Sequence, residues 1–199
     1  MLTEKRPEQS TPHLAERRRM LVQLQTLNAD LLSQDSATAV LQSLCDRLDP
    51  GAPRIRARKI SVVDDARAFD SIRHQLGVPA DTPLIHRRVD LMCGDAVLCR
   101  AENWYRPDRL TDQMNAELLA GEIPFGVVVR ALGFRRRTLS SVMLFDPLAL
   151  EYCDHPSTRF DRIAPPPEDV LQHHAMLQTP DGRPFSMLLE TYTKQILMV

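Results

Sequence analysis

Apolar residues recur at helical spacing from Pro12 to about Leu32, where Leu14, Leu21, Leu24, Leu27 and Leu31 share a stripe with Asn28. That stripe predicts one amphipathic helix. "SQDSATAVLQSLCDRLDPG" predicts a second, with Ser33 or Asp35 as cap, Val40, Leu41, Leu44 and Leu48 as its apolar face, and Pro50-Gly51 as its stop. Beyond Gly51 the period shortens. "PRIRARKISVV" alternates as a strand does, and a short helix follows around 65–76.

"PLIHRRVDLMCGDAVLCRAENWYRP" predicts a hairpin, two apolar and aromatic runs around a tight Gly94-Asp95 turn. "LTDQMNAELLAG" predicts a helix with Thr111 as N-cap, Leu118 and Leu119 inside and Gly121 as its stop. "IPFGVVVRALG" is an apolar turn or short helix opened by Pro124, and "FRRRTLSSVMLF" is another strand. Residues 146–169 are proline-rich and predict an extended loop. "VLQHHAMLQT" and "PFSMLLETYT" then make a last hairpin around Pro180-Asp181-Gly182. Helices first, then strands with helices between them, argue an α+β fold on an antiparallel sheet. Residues 1–11 form a polar leader, and 12–199 one domain.

Composition narrows the function classes. A net charge of −1 gives no global attraction to nucleic acid or to an anionic membrane. The triplets Arg17-Arg18-Arg19 and Arg135-Arg136-Arg137 read as solvated faces. No apolar run is long enough to span a bilayer. Cys45, Cys93, Cys99 and Cys153 lack metal spacing, and without a secretory signal they read as free thiols in a reducing cytoplasm. Cys93 and Cys99 flank one turn and are the pair best placed to approach each other.

Phosphate loops, dinucleotide fingerprints and metalloprotease or nucleophile-elbow motifs are absent from the sequence. His173-His174 would point to opposite faces of a strand, which suits a satisfied pair better than a joint metal site. Trp104 reads as a core aromatic. Two charged features interrupt apolar strands. Alternation puts Arg87 on the face of Ile85, Val89 and Leu91, with Arg88 beside His86 and Asp90. Glu190 shares a face with Leu188 and Tyr192. An inward arginine and an inward glutamate make either a buried ion pair or a pocket for a small carboxylate, and periodicity alone does not choose.

Four stretches in order resemble the chorismate pyruvate-lyase family and the fold it shares with UTRA ligand-binding domains. They are "LLSQDSATAVLQ", "RRVDLMCGDAVL" running on to Pro107, "LTDQMNAELLAGEIPFGVVV" and "DGRPFSMLLETY". The resemblance implies a six-stranded antiparallel sheet with helices on one face and an aromatic acid enclosed under a helical lid. It implies conversion of chorismate to 4-hydroxybenzoate and pyruvate, as in ubiquinone synthesis, with no cofactor or metal. Carried over, Glu190 becomes the proton relay, while Ala37, Phe125 and Gly126 join the ligand site. The anchoring arginine falls on Arg88 by ungapped match and on Arg87 by the inward face. "QHHA" at 172–175 replaces a basic family stretch, and "ENWY" and "FRRRT" have no counterpart, so a different substrate or none is open. The alternative is a non-catalytic binder of a small aromatic or carboxylated ligand on the same fold. A protein with a filled core and no ligand is the third reading.

Overall fold

A computed structural model describes residues 11–48, 51, 53–60, 66–149 and 165–197. Most of the expected leader, most of the 146–169 loop and Cys153 lie outside those residues. The elements are α1 (Thr11–Ser33), α2 (Ala37–Leu48), β1 (Arg56–Lys59), α3 (Ala66–Leu76), β2 (Ile85–Cys93) and β3 (Ala96–Tyr105). They continue with α4 (Asp112–Ala120), α5 (Phe125–Val128), β4 (Arg135–Met143), β5 (Asp169–Gln178) and β6 (Pro184–Thr193). The strands form one antiparallel sheet in the order β1-β2-β3-β6-β5-β4. The fold is therefore α+β on a six-stranded antiparallel sheet, as expected.

Strand order departs from chain order at one place. β3 pairs with β6 rather than with β4, so β6 stands in the middle of the sheet and Glu190 lies opposite both Ala101 and His173. Periodicity sets the packing on either side. Met20, Leu24, Leu27 and Leu31 of α1 and Val40, Leu41 and Leu44 of α2 bury against Val89, Leu91, Ala101, Leu171 and Tyr192. Leu118, Phe125 and Val128 of α4 and α5 cover Tyr105, Ala175, Leu177 and Leu188 at the other end of that face. Each fully buried leucine or phenylalanine contributes roughly 1.5–3 kcal/mol. α3 packs on the opposite face, where Ile72 and Leu76 meet Trp104, Met176 and Met187.

The caps are mostly as read. The Thr111 hydroxyl accepts from the Met114 N–H at 3.2 Å, and Gly121 ends α4 at φ 89. In α2 the cap is neither Ser33 nor Asp35. Ser36 accepts from the Ala39 N–H, while the Ser33 hydroxyl donates back to Asp30 O inside α1. Asp35 instead accepts from the backbone N–H of Arg136 at 2.8 Å. Leu119 is 57% exposed, because α4 rests on the sheet through Leu118 alone of that pair, and Leu14 is exposed as well.

The thiols also differ from expectation. Cys45 and Cys93 form a disulfide that joins α2 to the end of β2. α2 packs against the sheet, which brings two cysteines 48 residues apart together, a proximity that local spacing does not encode. Cys99, expected nearest to Cys93, is a buried free thiol one strand away. The free-thiol argument for a reducing compartment therefore loses its basis for this pair. Among the described residues no helix is long and apolar enough to cross a membrane.

Candidate functional site

β6 carries Glu190 onto the face covered by α1, α2 and the α4–α5 segment. Its Oε2 accepts from Arg136 Nη2 at 2.7 Å and from the Tyr192 hydroxyl at 3.0 Å. The Arg136 and Glu190 side chains are 2% and 7% exposed, so this is a buried ion pair. The partner is neither Arg87 nor Arg88, and the reading of the Arg135–Arg137 triplet as a solvated face fails at its middle residue. β4 alternates, so Arg135 and Arg137 are exposed while Arg136 turns inward beside Phe134. Burial works against the Arg136 charge, and the adjacent carboxylate more than offsets it, holding the guanidinium above its ordinary value.

Behind the pair is a polar relay to α1. His173, opposite Glu190 on β5, donates from Nε2 to Asn28 Oδ1 at 2.7 Å, and the Ser141 hydroxyl donates to the same oxygen at 2.8 Å. That tautomer, assigned from the hydrogen bonds, leaves Nδ1 facing Arg136 Nη2 at 3.5 Å. Burial and then Arg136 push His173 down to about 4, so the ring is neutral near pH 7. Burial and Glu190 hold the Tyr192 hydroxyl well above its ordinary value, which keeps it a donor. His173 and His174 do face opposite sides of β5, and no cluster of residues able to hold a metal ion occurs among the described residues.

A cavity of about 30 Å³ adjoins the ion pair, walled by Ala37, Ala101, Asn103, Phe125, Phe134 and Leu188 among others. That volume holds a water or two and is too small for an aromatic ring. It shares Ser36, Thr38, Gly126 and Phe134 with an outer groove of about 850 Å³ between α2, the segment 122–130 and Arg54–Arg56. Gly126 lines both spaces, and a Cβ there would lie 3.4 Å from both the Ser36 and Thr38 hydroxyl oxygens. Ala37, Phe125, Gly126 and Glu190 thus come together at one cavity.

Arg87 and Arg88 stand elsewhere. Arg88 is partly exposed near Glu102 on the other face. Arg87 is 4% exposed and donates from Nη2 to the Ile123 carbonyl at 2.8 Å, under the groove wall. Its Nε and Nη1 have no partner among the described residues. Asn103, its cross-strand neighbour and a cavity wall, has an unpartnered Oδ1, and Tyr105 beside it has an unpartnered hydroxyl. Burial lowers the Arg87 guanidinium from its ordinary value. Arg136, Asn103 and Thr38 were missed from the sequence. Only Arg136 left a trace, the alternation of Phe134, Arg136 and Thr138 through a basic run.

No family model matches the sequence. Among solved structures the chain is similar to PhnF from Mycobacterium smegmatis, at TM-score 0.51 and 12% identity, over 82% of this chain and 66% of that one. A second structure, the effector domain of the same PhnF, aligns at TM-score 0.51 and 12% identity over 81% of this chain and 90% of the domain. At that identity the likeness concerns the fold. By sequence the chain is 41% identical over 182 residues, 89% of its length and 76% of the relative's, to "Uncharacterized protein y4mC" of Sinorhizobium fredii (strain NBRC 101917 / NGR234). With that identity over most of both chains, the protein belongs to the family of y4mC.

Proposed function

We propose that this chain is a binding module for a small monoanionic molecule, an aromatic or other carboxylic acid that enters by the groove and points its carboxylate at Arg87. The observation that carries this is a charge without a counter-charge. Arg136 and Glu190 line the cavity, and Arg87 lies buried just behind its wall, opposite the lining residue Asn103 and bonded to Ile123 of the groove. Arg136 is neutralised by Glu190, and among the described residues Arg87 has only a carbonyl. An unpaired buried charge is costly, and a ligand carboxylate accepting from Nη1 would relieve that cost with a charge-assisted bond. The unpartnered Tyr105 hydroxyl would donate a hydrogen bond beside it, and Asn103 Oδ1 would accept from a donor group on the ligand. The ring would lie in the groove, since the inner cavity has no room for it.

The elimination chemistry implied by the resemblance asks Glu190 to move a proton. Its Oε2 already serves two donors, which favours a structural carboxylate over a mobile relay. The fold likeness to an effector domain sits with the binding reading.

The test is thermal denaturation with benzoate, 4-hydroxybenzoate and a panel of aliphatic monocarboxylates. A binder at a hundred times its Kd adds about 2.7 kcal/mol to stability, so Tm should rise with ligand concentration. Arg87→Met should abolish the rise. No shift from any monoanion would sink the binding reading. Pyruvate released from chorismate above the spontaneous rate would put the lyase in its place.

A further inference from the structure

We propose that the Cys45–Cys93 disulfide is a redox latch on the wall of this site, whose reduction frees α2 and opens the cavity and groove. It rests on the site described above but on no particular ligand. α2 is a wall of both spaces. Its entry residues Ser36, Ala37 and Thr38 line the inner cavity, and Ala39, Gln42 and Asp46 line the groove. β2 carries Arg87 at one end and Cys93 at the other. The disulfide therefore ties the helix that walls both spaces to the strand that bears Arg87. It spans 48 residues of chain, the kind of long closure whose opening restores the most freedom.

The remaining polar ties on α2 and the residues flanking it are few. Gln42 Oε1 accepts from the Ile55 N–H at 2.8 Å, and Asp35 just before the helix holds the Arg136 N–H. The two sulfurs are unequal in access. Cys45 is fully buried, whereas Cys93 is half-buried and adjoins the Gly94-Asp95 turn, where Asp95 is exposed. A dithiol would thus attack Cys93. The incoming thiolate bonds to Cys93 Sγ, the Cys45–Cys93 bond breaks, and its electron pair leaves on Cys45, which takes a proton. The second thiol of the reductant then attacks the mixed disulfide, closing its own ring and releasing Cys93 as the other thiolate. Two electrons pass from the dithiol to the protein disulfide. Cys99 takes no part, since it is enclosed in the core and on the next strand.

The experiment is hydrogen exchange on the full chain, purified without reductant and then treated with dithiothreitol. Alkylation under denaturing conditions before reduction should leave Cys45 and Cys93 unmodified. On reduction, amides of residues 37–48 and 122–130 should exchange at least tenfold faster, while those of 171–177 and 185–192 hold their protection. A Cys45→Ser, Cys93→Ser double variant should show the fast pattern with or without dithiol. If the unreduced protein alkylates at both cysteines, the latch does not exist. Unchanged exchange, or an equal rise across the sheet, would equally overturn it, and both are read on the reduced wild-type chain even if the variant fails to fold. Because no ligand is used, failure here is distinct from failure of the carboxylate reading.

Discussion

Glu190 stands between two donors, and its removal would expose how much the interior depends on one charge. Glu190→Gln keeps the shape but leaves the Arg136 guanidinium buried without its carboxylate. Breaking a buried pair from one side costs about 3–5 kcal/mol. Urea unfolding should show a loss near 3 kcal/mol at unchanged slope, since Gln still accepts from Arg136 and Tyr192. A loss under about 1 kcal/mol would mean the pair is solvated. His173 adds a pH dependence of definite sign. It titrates near 4 when folded and at the ordinary 6.5 when unfolded, so between those values the unfolded chain binds the extra proton. Its contribution is present above pH 6.5 and is lost as pH falls from there through about 4. His173→Gln should flatten that part of the stability profile. A profile identical to wild type would show that folding leaves the His173 pKa unshifted.

Among the elements, α4 and α5 are the helices whose ends are set by Gly121 and Pro124. Gly121 closes α4 at φ 89, where a side chain is strained by roughly 1–2 kcal/mol. A Cβ there would also fall 2.7 Å from the Lys59 side chain, which donates to the Leu119 carbonyl at the end of α4. Gly121→Ala should therefore lower stability by about 2 kcal/mol. It should also speed hydrogen exchange in Asp112–Ala120 ahead of the sheet. Exchange that rises everywhere equally would argue against a local role. Thr111, Gly121 and Pro124 were legible because caps and breakers act within one turn of the chain. The α2 cap was misplaced by one to three residues, because Asp35 was drawn off by Arg136, a partner 101 residues away.

For the molecule as a whole the unbalanced charge at Arg87 matters most. Removing an unpaired buried charge should cost nothing in the free protein, so ligand-free Arg87→Met should melt at the wild-type temperature or above it. The same variant should lose all stabilisation by carboxylates. A large drop in Tm without ligand would show that Arg87 serves the fold through its bond to Ile123, and would remove the ground for the anion site. These opposite signs, stability kept and binding lost, separate a functional charge from a structural one.

Alternation along each strand told which side chains face inward, and that property belongs to the chain alone. It placed Arg87 under the helices, Glu190 beside Leu188 and Tyr192, and the two histidines back to back. The antiparallel α+β class followed from the order of the periods. Partnership did not follow, because strand spacing fixes a face but not a neighbour. β6 lies between β3 and β5 only after two distant hairpins meet, and that sheet order brings Arg136 from the far edge across to Glu190, 54 residues later in the chain. The tertiary structure alone decided which arginine is neutralised, which has no counter-charge among the described residues, and which two cysteines join.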